Sequence, residues 1–317
     1  MARSLLKLAM AVTGLVFTNA FPTAAEQEYN TKRDNPIGGP LALPFPVSDF
    51  TQTVSSLHNT YCSPEYNKPG QKVGDQTILY SIGDGDDEPR VTIYHSDSLG
   101  LIAAYMGTNL SSIISTLADV DSVGVPSDPI LDLPDSVLVF QGFQNSWRSS
   151  WDDVKDRLHK ARQIYPNDTL TITGHSQGGA DAILGAISIR NEFGAEFINK
   201  IITYGPPRTG NNVFADIFDS YFKGRYTGVT NGADWVSDVP PPYIGYRHPS
   251  GMVWINPANS TSWGFYPDQE DLNGIDSRIP QFINPETHGL YWNDHHGVYM
   301  HSMMSEEYGC PATVGGY

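Results

Sequence analysis

The chain has 317 residues, with 19 Lys+Arg against 35 Asp+Glu and a formal net charge of −16. Apolar residues make up 39% of it, enough for a sizeable core, which excludes wholesale disorder; the length admits one large domain or two smaller ones. So acidic a chain is a poor match for nucleic acid or an anionic membrane, both of which call for cationic surface.

Met1 to Ala25 has the three parts of a secretory signal. Arg3 and Lys7 start it, Leu8 to Phe17 carries no charge, and small residues at Thr18/Ala20 or Thr23/Ala25 offer cleavage after 20 or after 25. The apolar run is too short to span a bilayer, so no transmembrane segment is expected there and the mature protein is expected outside the cell. Loss of Arg3 and Lys7 takes the charge from −16 to −18. Lys32-Arg33 could mark the end of a short propeptide over 26–33, leaving 34–317 as a single domain.

Secretion frames the two cysteines, Cys62 and Cys310, which stand near opposite ends of the mature chain. In an oxidising compartment such a lone pair joins, and no Cys/His spacing suggests a metal site. Sequons begin at Asn109, Asn167 and Asn259.

Val47, Phe50, Val54, Leu57 and Tyr61 fall at helical spacing, which predicts a helix before Cys62. Val91–Tyr94 and Leu101–Tyr105 read as strands around the turn Asp97–Gly100, and Val137–Phe140 as another short strand. Trp151, Val154, Leu158 and Ala161 predict a helix with Asp152 and Asp153 in its first turn and Pro166 beyond its end. Thr169–Thr173 alternates like a strand, Ala180–Arg190 reads as a helix of small and aliphatic residues, and Ile201–Tyr204 is a strand again. Strands and helices in this order, with short connections, predict an α/β sheet in one domain.

Between that strand and the small-residue helix lies Gly174-His-Ser-Gln-Gly-Gly179. Gly-x-Ser-x-Gly in a strand-to-helix context is a nucleophile elbow, whose tight turn exposes the serine hydroxyl beside a helix N-terminus. Ser176 is therefore the candidate nucleophile. It needs a histidine base and a carboxylate to orient that base, in the chain order Ser, acid, His. Asp234 and Asp238 both qualify by position, and so do His248, His288, His295, His296 and His301; spacing alone does not choose among them.

Several further blocks carry a family resemblance. They are Met106-Gly-Thr108, Gln141-Gly-Phe143, Tyr204-Gly-Pro-Pro-Arg-Thr-Gly-Asn211, Ala233-Asp-Trp-Val-Ser-Asp-Val-Pro-Pro241, and Asn293-Asp-His295 with Tyr299. With the elbow, they make the chain similar to the secreted fungal class 3 lipases from about Phe50 to Cys310. Gly-Thr-Asn at 107–109, His248-Pro-Ser-Gly251 and Asn256-Pro-Ala-Asn-Ser-Thr-Ser-Trp263 resemble, within that family, the mono- and diacylglycerol lipases of lipophilic yeasts.

The resemblance implies an α/β-hydrolase fold with a central, mostly parallel sheet and a short helical lid, and an ester hydrolase that needs no cofactor or metal. It selects Asp234 as the acid and His295 as the base, although a tyrosine three residues after the histidine, frequent in the family, would select His296. It implies an oxyanion hole of Thr108 and Gln177, the residue after the nucleophile. Met106 and Gln177 depart from the family's usual Arg and Leu, which bears on chain-length preference more than on activity.

Leu110, Ile113, Ile114 and Leu117 form an apolar helical stripe, ordinarily a core face. Their position just after Thr108 is where the family has its lid, so Asn109 is expected to stay unglycosylated and Asn167 and Asn259 are the glycan candidates. The expected activity is hydrolysis of mono- and diacylglycerols, with triacylglycerols left open because the sequence does not rank the three; the expected partner is a lipid substrate at an oil–water interface, met by a monomer. Competing readings are a feruloyl esterase or phospholipase A1 on the same fold, and a lipid-binding protein without catalysis.

Overall fold

The computed structural model describes residues 42–85, 88–108, 124–278, 292–304 and 309–315. The expected signal and propeptide segments, His288, Asn109 and the stripe Leu110, Ile113, Ile114 and Leu117 lie outside the described residues.

A nine-stranded sheet organises the chain, and its strands stand in the order in which they occur in the sequence. They are β1 (Lys72–Val73), β2 (Gln76–Ile82), β3 (Val91–Ser96), β4 (Gly100–Tyr105), β5 (Leu170–His175), β6 (Ile198–Tyr204), β7 (Tyr226–Asn231), β8 (Met252–Ile255) and β9 (Trp263–Tyr266). The first four pair antiparallel, each with the next. From β4 through β8 the pairs are parallel, and β9 returns antiparallel.

Strand periodicity divides the core into two layers. Val91, Ile93, Leu101, Ala103, Leu170, Ile172 and Ile201 face one layer. It is covered by helices α2 (Gln141–Ile164), α3 (Gln177–Phe193) and α4 (Asn212–Phe222). Tyr94, Ile102, Ala104, Ile202, Tyr204 and Val229 face the other, which is covered by α1 (Val47–Tyr61). Phe50, Val54 and Leu57 of α1 are fully buried, each worth about 1.5–3 kcal/mol of removal from water.

The predicted α1 has the bounds that its apolar spacing gives, but α2 starts ten residues before the expected Trp151. Phe143 and Trp147 extend the buried stripe of Trp151, Val154, Leu158 and Ala161 upstream by two turns, and tertiary burial overrides the weaker signal of Asp152 and Asp153. Those two acids sit in the middle of the helix on its exposed side and stabilise no helix end.

Cys62 and Cys310, 248 residues apart, are joined in a disulfide with a Cα–Cα distance of 5.8 Å. It ties the end of α1 to the C-terminal segment, where His58 Nε2 also meets the Gly309 carbonyl at 2.8 Å. Among the described residues no helix is long and apolar enough to cross a membrane.

Candidate active site

Parallel pairing brings the carboxyl ends of β4, β5, β6 and β7 to one edge of the sheet. Tyr105 is paired with Gly174, and Tyr204 with both His175 and Val229. The residues that follow those strands, Met106–Thr108, Ser176, Gly205 and Gly232–Asp234, therefore meet at one place, where open α/β sheets put their binding sites.

Ser176 is the turn between β5 and α3, with φ 59° and ψ −132°. A non-glycine residue with positive φ is strained by about 1–3 kcal/mol and persists only where its surroundings hold it. Ser176 N donates to the Tyr204 carbonyl at 2.9 Å, and Gly179 N donates to the Ser176 carbonyl at 2.8 Å. The close approach explains Gly174: a Cβ there would lie 2.6 Å from the Gly178 carbonyl carbon. Gln177 is the first residue of α3, so its N–H belongs to the helix end whose first amides have no partner within the helix.

Gly107 lies against this elbow, since a Cβ there would stand 2.8 Å from Ser176 Cβ, and Thr108 is the next residue in the chain. Ser176 Oγ is buried and has no hydrogen-bond partner among the described residues. In the absence of substrate, catalytic hydrogen bonds are commonly long and tighten only in the reacting complex.

The imidazole stands beside the elbow. His295 ends a short helical turn, Trp292–His295, and its ring centroid is 4.5 Å from that of His175, the residue before Ser176. His295 Nδ1 lies 2.8 Å from Asp234 Oδ2, and both side chains are fully buried. Asp234 Oδ1 accepts from Val236 N at 3.0 Å. Gly205, with φ +51°, makes room for the pair: a Cβ there would lie 2.6 Å from Asp234 Oδ2 and 2.8 Å from His295 Nδ1.

Asp294 fixes the loop that carries His295. Its carboxylate accepts from Ala233 N at 2.7 Å, and its carbonyl accepts from Asn231 Nδ2 at 2.8 Å. Tyr299 donates its hydroxyl toward the His295 carbonyl at 3.2 Å and Asp234 Oδ2 at 3.4 Å. Burial, reinforced by the charges of Asp234 and Asp294, pushes this phenol well above its ordinary range and keeps it a donor.

Among the described residues the other candidates do not meet Asp234. His248 Nε2 donates to the Ser237 carbonyl at 2.8 Å, and His301 packs edge-on against Trp263. His296 adjoins the pair; burial first, and then the neighbouring His295, lowers its pKa to about 3. Asp238 is buried beside the charge of Arg208 instead of meeting His295.

Arg208 comes from the Tyr204–Asn211 block and is completely buried. It donates to both oxygens of Glu270 at 3.0 and 2.9 Å and to Asp276 Oδ1 at 2.7 Å. It also reaches the Ser237 and Pro240 carbonyls at 3.3 and 3.4 Å, pinning the loop that follows Asp234. Burial alone would raise the Glu270 pKa, but Arg208 outweighs it and holds it at about 2. Burial, and then the neighbouring charge of Glu270, raises the Asp276 pKa well above its ordinary value.

Sequence reasoning gave no role to Arg208, Glu270, Asp276, Tyr61 or His175. The signal for Arg208 and His175 was their place inside motif blocks; Tyr61, Glu270 and Asp276 carry none. Among the described residues two clusters bring three potential metal-ligating side chains together, and neither is a ligand set. In one, both sulfurs belong to the disulfide. In the other, His175 has both ring nitrogens engaged, by the Tyr61 hydroxyl and the His295 carbonyl.

A strained serine, a buried imidazole and a carboxylate on that imidazole form a set able to attack an ester carbonyl. The Lipase (class 3) family model matches residues 102–244. A secreted mono- and diacylglycerol lipase of Gibberella zeae is 52% identical over 301 residues, covering 94% of this chain and 92% of that one. The chain belongs to the class 3 lipase family.

A secreted mono- and diacylglycerol lipase of Malassezia globosa is 38% identical, over 88% of this chain and 90% of its own. The solved Rhizomucor miehei lipase propeptide complex superposes with a TM-score of 0.66 at 22% identity, covering 88% of this class 3 lipase and 94% of that chain. The shared architecture is the α/β-hydrolase fold, and membership of the family makes this chain a carboxylic ester hydrolase.

Proposed function

We propose that this class 3 lipase is secreted and hydrolyses mono- and diacylglycerols at an oil–water interface as a monomer, with Ser176, His295 and Asp234 as its catalytic triad. The observation that carries the reading is the 2.8 Å contact between His295 Nδ1 and Asp234 Oδ2 at the sheet edge that also holds the strained Ser176. The acylglycerol and the secretion come from the relatives of Gibberella zeae and Malassezia globosa, and the signal-like N-terminus agrees with them.

Ser176 Oγ attacks the ester carbonyl while His295 Nε2 takes its proton, and Asp234 stabilises the imidazolium through Nδ1. The tetrahedral oxyanion accepts hydrogen bonds from Thr108 and from the Gln177 N–H at the α3 terminus. His295 returns the proton to the glycerol oxygen as the C–O bond breaks. Water activated by the same imidazole then attacks the acyl-enzyme, releasing the fatty acid and restoring Ser176. The stripe Leu110, Ile113, Ile114 and Leu117, next to Thr108 in the chain, is the lipid-facing lid in this reading. Asn167 and Asn259 are both exposed and are its glycan sites.

A matched mono-, di- and tri-oleoylglycerol series tests the substrate, with turnover normalised to sites titrated by a fluorophosphonate. Mono- and dioleoylglycerol should turn over fastest, with the label on Ser176. Preference for trioleoylglycerol would contradict the substrate class, and preference for a feruloyl ester or a phospholipid would favour another esterase on this fold.

A further inference from the structure

His175 precedes the nucleophile in the elbow, and the reaction just described gives it no task. It is fully buried, and its two ring nitrogens face different segments of the site. Nε2 lies 2.9 Å from the carbonyl oxygen of His295. A carbonyl only accepts, so His175 Nε2 carries the proton. Burial first, and then the neighbours His295 and His296, hold the His175 pKa well below its ordinary value, so the ring is neutral and Nδ1 offers a lone pair.

Nδ1 meets the Tyr61 hydroxyl. That hydroxyl must donate to it, and Tyr61 Oη in turn accepts from Gly107 N at 3.0 Å. Direction is fixed at every link. Gly107 N–H donates to Tyr61, Tyr61 O–H donates to His175 Nδ1, and His175 Nε2–H donates to the His295 carbonyl. The chain begins one residue before Thr108 and ends on the backbone of the base, and its third member, His175, is covalently next to Ser176.

We propose that Tyr61 and His175 are positioning residues that lock the oxyanion turn, the nucleophile elbow and the backbone of His295 into one geometry. This rests on the triad proposed above. Tyr61 is brought in from the end of α1, one residue before the disulfide that anchors it. Neutrality of His175 also matters, because a second imidazolium with its ring 4.5 Å from that of His295 would oppose proton uptake by the base.

The test uses Tyr61→Phe, His175→Gln and the double variant in the full mature protein, with a soluble p-nitrophenyl ester and turnover per titrated site. Tyr61→Phe removes only the hydroxyl. His175→Gln keeps a donor within reach of the His295 carbonyl, while its acceptor oxygen sits on the same terminal carbon and no longer occupies the place of Nδ1. Each single variant should lower kcat about tenfold with KM within about twofold, because one positioning hydrogen bond is lost and substrate binding is untouched. The double variant should also lose about tenfold, since both changes break the same link.

A loss of about a hundredfold in the double variant would overturn the proposal, as would unchanged kcat in folded Tyr61→Phe, with folding read from near-ultraviolet circular dichroism. If His175→Gln does not fold, Tyr61→Phe decides alone by the same criterion. Ser176→Ala separates the two levels. Activity surviving there would refute the triad itself, whereas an inactive Ser176→Ala beside a fully active Tyr61→Phe would refute only the positioning link.

Discussion

Two buried polar clusters flank the Asp234–His295 pair, and they are built on opposite principles. On the Asp234 side Arg208, Glu270 and Asp276 form an ionic cluster that grips the loop after the acid. On the elbow side Gly107, Tyr61, His175 and the His295 carbonyl form an uncharged relay. Burying charge is costly, so the ionic cluster is secure only while every charge keeps its partner. A neutral relay carries smaller penalties, and it specifies direction because it starts on a group that only donates and ends on one that only accepts. The charged cluster therefore bears chiefly on stability, and the neutral one on the alignment of reacting groups.

The largest effect expected from this contrast is on Arg208. Replacing it by Met should cost about 3–5 kcal/mol of folding stability, because Glu270 and Asp276 are left buried without their cation. Urea unfolding measures this; a loss below about 1 kcal/mol would mean that the cluster is not what holds the loop. Glu270→Gln should cost less, since Asp276 remains 2.7 Å from the guanidinium as a carboxyl partner.

A smaller effect separates the clusters by pH. The Glu270 pKa is depressed in the fold from 4.5 to about 2, so its contribution is present above about 4.5 and lost as pH falls toward about 2. His175 is depressed from 6.5, and its contribution begins to fade below that value, when the unfolded chain gains a proton that the fold resists. Asp276 has the opposite sign. Raised in the fold, it stabilises most below its ordinary 3.8 and loses that contribution as pH rises through its folded value. Stability measured from pH 7 down to pH 3 should therefore flatten at the upper end in His175→Gln and at the lower end in Glu270→Gln. Identical profiles in the two variants would erase the distinction between the clusters.

Much of this was legible in the sequence where a pattern is local. The elbow could be read because a strand, a Gly-x-Ser-x-Gly turn and a helix are contiguous, and α1 because its apolar face is regular. Resemblance to a known family picked Asp234 and His295, where spacing left two acids and five histidines open. Long-range partners were not legible. Tyr61 and His175 are 114 positions apart, and only the fold brings them together. Glu270 reaches Arg208 across 62 positions from a segment without a motif. The start of α2 was missed because Gln141–Ser150 mixes polar residues with a sparse apolar stripe, and only burial of Phe143 and Trp147 settles the boundary. The third of the sheet beyond β6 went unread for a similar reason: β7 is entirely buried yet reads Tyr-Thr-Gly-Val-Thr-Asn, with no clean alternation.

The central claim is that Asp234, and not Asp238, orients the histidine that serves Ser176. Both acids are buried within five residues of each other, and they differ in what they face. Asp234→Asn keeps the shape and removes the charge on His295 Nδ1, while Asp238→Asn changes a group on the Arg208 side. Steady-state kcat on a soluble ester, per folded protein, is the direct measurement. Asp234→Asn should fall by about 10⁴, and Asp238→Asn should stay within about tenfold of the unaltered enzyme. An active Asp234→Asn beside an inactive Asp238→Asn would contradict the account.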